Sequence, residues 1–188
     1  MNLRLHPLYK KLLILALVLG PIVWLMLTED GRRRTDIVML HLLGAQELNL
    51  AIENLRGAMT EAELRAQFPD LEMSCAAIAN PFGDRSCSAE IGSFNAIPSR
   101  GFALFLDGDE LRAAKLSYRS TYHQTLLRQL TQRLGMRAGR REDDADVLSW
   151  QVSDGLLLMP SNAPESDQDA AVMWLSTAAL SNPAGVKP

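Results

Sequence analysis

The chain is poor in the residues that usually carry chemistry. Its 188 residues include three histidines and two cysteines. It has no glycine-rich phosphate loop, no dinucleotide fingerprint and no Cys-x-x-Cys pair. No Gly-x-Ser-x-Gly elbow is present to seat a nucleophilic serine. Nucleotide binding, dithiol exchange and elbow-type hydrolysis therefore lack a motif, and the expectation is a protein that is not an enzyme and holds no cofactor. Two cysteines without nearby histidines make half a zinc site, so no metal is expected either. Asp107, Asp109 and Glu110 fail the spacing of a calcium loop and read as a turn. His123 is the one histidine inside the expected folded part. It reads as a partly exposed structural residue; paired with an unidentified Ser or Asp, it would carry the alternative reading of a membrane-tethered hydrolase.

Positive charge is also scarce where a nucleic-acid surface would need it. Residues 35–188 hold 13 Lys and Arg against 20 Asp and Glu. That balance repels a phosphate backbone and excludes nucleic acid as a partner. The first 34 residues reverse it, with 6 basic against 2 acidic side chains, which suits anionic lipid headgroups. Arginine outnumbers lysine 15 to 4, a bias that fits a bacterial source.

What is present is one long apolar run, Leu12 to Leu27, broken only by Gly20 and Pro21. It spans roughly 25 Å as a helix, slightly less than the hydrocarbon core, and Lys10, Lys11 and Arg32 can snorkel to close the gap. The run ends Trp24-Leu25-Met26-Leu27-Thr28 without an Ala-x-Ala cleavage pattern, and no cysteine follows it for acylation. It therefore reads as an uncleaved anchor over residues 12–28, with 1–11 as a short cytoplasmic segment. Basic residues are tied across it: Arg4, Lys10 and Lys11 before, Arg32, Arg33 and Arg34 after.

The cysteines break that tie. Cys75 and Cys87 lie symmetrically about Pro81 in the turn Asn80-Pro81-Phe82-Gly83-Asp84. In a β-hairpin they would face each other within disulfide reach. A disulfide implies an oxidising compartment, which places the soluble part in the periplasm and the amino terminus in the cytoplasm.

Beyond the anchor the pattern predicts an α+β fold, a mostly antiparallel sheet with two to three packed helices. A helix is expected over Thr35 to Arg56, with an apolar stretch from Ile37 to Leu43. Ile37, Leu40 and Leu43 form the candidate face for a partner or the membrane surface. Thr60 opens a capped helix to Gln67. Strands are expected at Leu71–Ile78, Arg85–Ile91, Gly101–Leu106 and Glu110–Tyr118, with Phe94–Arg100 as loop and a turn at Asp107-Gly108-Asp109. Thr121–Leu134 is a helix closed by Gly135, completing a unit over 35–135. Residues 136–181 add a charged connector, a hairpin turning at Ser153-Asp154-Gly155 and a last strand with Trp174. These strands either join the first sheet or form a second subdomain. Trp150 and Trp174 are expected in the core. Residues 182–188 read as a disordered tail.

The stretch Leu55-Arg56-Gly57-Ala58-Met59-Thr60-Glu61-Ala62-Glu63-Leu64 through Phe68-Pro69, the paired strands after it, and Phe102 to Leu111 resemble the small lipoprotein subunit of the outer-membrane β-barrel assembly machinery. The likeness covers roughly residues 36–118. It implies two short helices on a three-stranded antiparallel sheet, a non-catalytic fold used for protein contacts in the envelope. Together these features point to a bacterial inner-membrane protein with a periplasmic domain. It would act by contact with envelope proteins as an accessory or assembly factor, or else as a membrane-anchored sensor.

Overall fold

The computed structural model describes residues 7–135 and 147–181. The connector with Arg137, Arg140, Arg141, Glu142, Asp143, Asp144 and Asp146, the tail from Asn182, and residues 1–6 lie outside them.

The apolar run forms helix α1, Pro7–Leu27, which starts five residues earlier than the anchor read from the sequence and buries none of its residues. It is long and apolar enough to cross a membrane. Thr28 ends it and caps α2, Glu29–Leu42: its hydroxyl accepts from the Gly31 amide at 3.0 Å and donates to the Trp24 carbonyl at 2.7 Å.

The expected helix over Thr35–Arg56 is corrected on both sides. It begins at Glu29 and stops at Leu42, where Gly44 turns the chain with φ of 75°. The apolar residues beyond follow a different period. Leu48, Leu50 and Ile52 are all buried at every second position, the spacing of extended chain. Glu47–Leu48 accordingly forms a short strand, β1, and Ile52–Asn54 a single 3₁₀ turn.

The capped helix appears as α3, Glu61–Gln67, with a complete capping box between Thr60 and Glu63. Strands β2 (Ser74–Asn80) and β3 (Gly83–Glu90) make the expected hairpin, with Cys75 directly opposite Cys87. The stretch expected as loop, Phe94–Arg100, is instead strand and turn. Strand β4 (Ser93–Phe94) and the long β5 (Ile97–Asp107) meet through Asn95-Ala96, both at positive φ, 47° and 59°. Ala96 pays a steric cost there. The Asn95 amide offsets it by holding both backbone groups of Leu50, donating to the carbonyl at 2.8 Å and accepting from the amide at 3.1 Å.

Strand β6 (Glu110–Tyr118), helix α4 (His123–Leu134), strands β7 (Val147–Val152), β8 (Gly155–Pro160) and β9 (Ala171–Ser176), and the short helix α5 (Thr177–Ser181) complete the fold. Helix α5 has no counterpart in the sequence reading. Because β9 pairs with β6 and β8 together, the carboxy-terminal strands extend the first sheet instead of forming a second subdomain. The main path runs β2-β3-β5-β6-β9-β8-β7, with β4 and β1 beside the start of β5, and among the described residues only the β1–β4 pair is parallel.

One face of this sheet carries Phe102, Leu104, Leu106, Leu116, Trp174, Leu157 and Trp150, all buried. The buried Leu126, Leu127 and Leu130 of α4 and Leu64 of α3 belong to the same core. Phe68, at the end of α3, meets Phe102 edge-on at 6.3 Å. The two tryptophans thus sit in the core, as their alternation predicts.

Candidate functional site

The other face of the sheet builds the site. By the period of two, the residues between the core positions project there: Gly101, Ala103 and Phe105 of β5, Lys115 and Ser117 of β6, Met173 and Leu175 of β9. All of them remain partly exposed. A groove of about 1280 Å³ lies over part of this face, bounded by Leu40, Leu43 and Ala45 at the end of α2. Its floor is made of small residues, including Ser74, Ser88, Gly101, Ala103 and Ser117. Small side chains let another chain's backbone approach closely. Charge is sorted across it: Glu72 and Glu90 on the β2–β3 side, Arg100, Lys115 and Arg119 on the β5–β6 side.

The two arginines are already engaged. Arg119 stands 3.5 Å from Asp36 and Arg100 3.6 Å from Asp167. Asp167 also accepts from the amide and hydroxyl of Ser120, which hold its carboxyl below the usual range. Tyr122 donates to Asp36 at 2.7 Å; burial, then the neighbouring carboxylate, pushes its phenol up to about 12. Lys115 differs. Among the described residues it has no carboxylate partner, and its cross-strand neighbours are Ala103 and Met173.

The residues singled out from the sequence fall in different places. Leu40 and Leu43 rim the groove, whereas Ile37 is half-buried beside a smaller cavity of about 230 Å³ with Gly92 and Ser93. Cys75 and Cys87 are joined, their sulfurs 2.03 Å apart. With Glu61 they form a compact group of ligand-type atoms, but bonded sulfurs leave no thiolate for a metal.

His123 departs from the expectation of partial exposure: it is 1% exposed and lies 2.7 Å by Nδ1 from the Tyr118 hydroxyl. Burial lowers its pKa, with the Ser161 backbone opposing. It fastens the start of α4 to β6 and does not line the groove.

No known protein family, curated protein or solved structure matches this chain. The groove was missed from sequence because its floor residues are far apart in the chain and individually unremarkable. The available signal was Lys115, which with Arg112 is one of two charges in the strand from Leu111 to Tyr118.

Proposed function

We propose that this protein is a single-pass bacterial inner-membrane protein whose periplasmic domain acts by protein contact, as an envelope accessory or assembly factor. The observation that carries the reading is the small-floored groove with Lys115, which has no carboxylate partner among the described residues. Gly101, Ala103 and Ser117 leave room for an extended segment of a partner, and Lys115 supplies an ion pair for an acidic side chain on it. Complementary charge of this kind steers encounter and fixes the register of the bound segment. Support for the location comes from α1, long and apolar enough to span a bilayer, and from the cysteine pair, which suits an oxidising compartment. The stretch that resembles the small lipoprotein subunit of the outer-membrane assembly machinery, α3 with β2, β3 and β5, points in the same direction.

The test places a photo-crosslinking residue at Ala103 in the full chain, expressed in cells. A discrete adduct with one envelope protein is expected, strongly reduced by Lys115→Glu and missing when the crosslinker sits at Asp109 on the far hairpin tip. An adduct equal at both positions, or indifferent to Lys115→Glu, removes the groove as the contact site. Thiol labelling of quenched cells checks the compartment: Cys75 and Cys87 should react only after reduction. Direct reaction would place the domain in the cytoplasm.

A further inference from the structure

Helix α2 carries two stripes that face opposite ways. Residues 29, 33, 36 and 40 fall on one side of a helix, and residues 31, 35, 38 and 42, each two positions later, fall about 200° away. The first stripe is used by the domain. Glu29 accepts from the Thr125 hydroxyl, Arg33 donates to the Ala96 carbonyl at 3.3 Å, Asp36 holds Tyr122 and Arg119, and Leu40 abuts Gly92.

The second stripe holds Gly31, where α1 closes over α2. A Cβ built on Gly31 would lie 2.4 Å from the Trp24 carbonyl oxygen and 2.6 Å from the Leu25 Cα. The bend between the helices therefore has this face on its inside. Farther along the same side, Val38 and Leu42 are 58% and 75% exposed, with Met39 and Leu43 beside them at 56% and 78%. All four remain largely exposed; Val38 and Leu42 also edge the small cavity beside Glu47, Gly92 and Ser93, and Leu43 edges the groove.

We infer that α2 lies flat on the bilayer, seating Val38, Met39, Leu42 and Leu43 in the interfacial layer of the membrane that α1 enters. The occupant is the lipid surface because the exposed apolar patch shares the stripe that faces α1 inside the bend, with only the uncharged Gly31 and Thr35 of that stripe between the patch and α1. Trp24, just before the bend, sets it at headgroup depth, where indoles concentrate. Interfacial helices of this kind bury their apolar face roughly 5–10 Å into the headgroup–acyl boundary. The domain, docked on the opposite stripe, is thereby held against the membrane at a fixed orientation. The groove rim formed by Leu40 and Leu43 then sits at the bilayer surface, so the segment it takes is a membrane-proximal one. The inference rests on reading α1 as a span.

The experiment uses the full chain, disulfide intact, in phosphatidylcholine–phosphatidylglycerol vesicles. A nitroxide is placed at Leu42→Cys, Val38→Cys, Leu17→Cys or Asp109→Cys in separate preparations, and its accessibility to oxygen and to a water-soluble nickel chelate is measured. Sites 38 and 42 should show an oxygen-to-nickel ratio several-fold above site 109. A ratio equal to that of site 109 overturns the inference, as does shielding from both reagents, which would mean protein covers the stripe. Site 17 separates the two failures: if it lies in lipid while 42 lies in water, only the seating of α2 is wrong. If site 17 is itself in water, the anchor reading falls with it.

Discussion

The sheet has two wings about its central pair, β5 and β6, and they are held by different means. On one side lie β9, β8 and β7, which bring Trp174, Leu157, Trp150, Met159 and Val152 into the core. On the other lie β3 and β2, whose outermost strand leaves Ala76, Ala77 and Ile78 exposed. That strand contributes little apolar burial; the Cys75–Cys87 bond fastens it to β3, which Glu61 of α3 holds in turn through Arg85 at 2.5 Å, while Glu61 also pairs with Arg65 of its own helix at 2.9 Å. A wing held by burial responds to cavities. A wing held by a covalent bond and ion pairs responds to reductant and to acid.

The sharpest way to break the comparison is a cavity in the buried wing. Trp174 is fully buried in the strand that joins β6 to β8. Trp174→Ala should cost about 3–5 kcal/mol, read as a lower urea midpoint for the whole domain. A midpoint unchanged by this substitution would mean that the buried wing is not part of the cooperative core.

Next in size is the staple. The two cysteines close a loop with a sequence separation of 12, and losing that closure should cost about 3 kcal/mol by chain entropy. The Cys75→Ser, Cys87→Ser double variant should lose amide-exchange protection first in β2 and β3, while β7, β8 and β9 keep theirs. Simultaneous loss in both wings would erase the distinction drawn between them.

How much of this was legible follows the same division. Alternation places Trp150 and Trp174 inside, and symmetry about Pro81 pairs the cysteines, because both signals are local. The helix expected through Leu48 and Leu55 failed because apolar residues spaced for a helix can equally serve an extended chain. Gly44 and the pairing of Leu48 with Phe94 decided it, and the second lies 46 residues away in sequence. The Asn95-Ala96 turn was hidden for a similar reason: its stabilising partner is the backbone of Leu50, which no sequence pattern displays. In the site, Leu40 and Leu43 were visible as an apolar stretch. The floor, supplied by small residues of four strands, required the register of the sheet.

The smallest effect isolates the ionic part of the stapled wing. Arg65 first, then Arg85, hold the Glu61 carboxyl below its ordinary value of 4.5. A carboxylate held low contributes stability that is complete above its unfolded pKa and disappears as pH falls through the folded one. Both arginines are nearly half exposed, so solvent screening limits each pair to about 0.2–1 kcal/mol. Glu61→Gln should therefore be slightly less stable than the parent at pH 7, and the two urea midpoints should converge as pH drops below 4.5. The same titration in a Trp174→Ala background should show the same convergence, since the two sites lie in opposite wings and share no partner. Loss of convergence there would show that the wings communicate through β5 and β6, and that burial and staple act as one system.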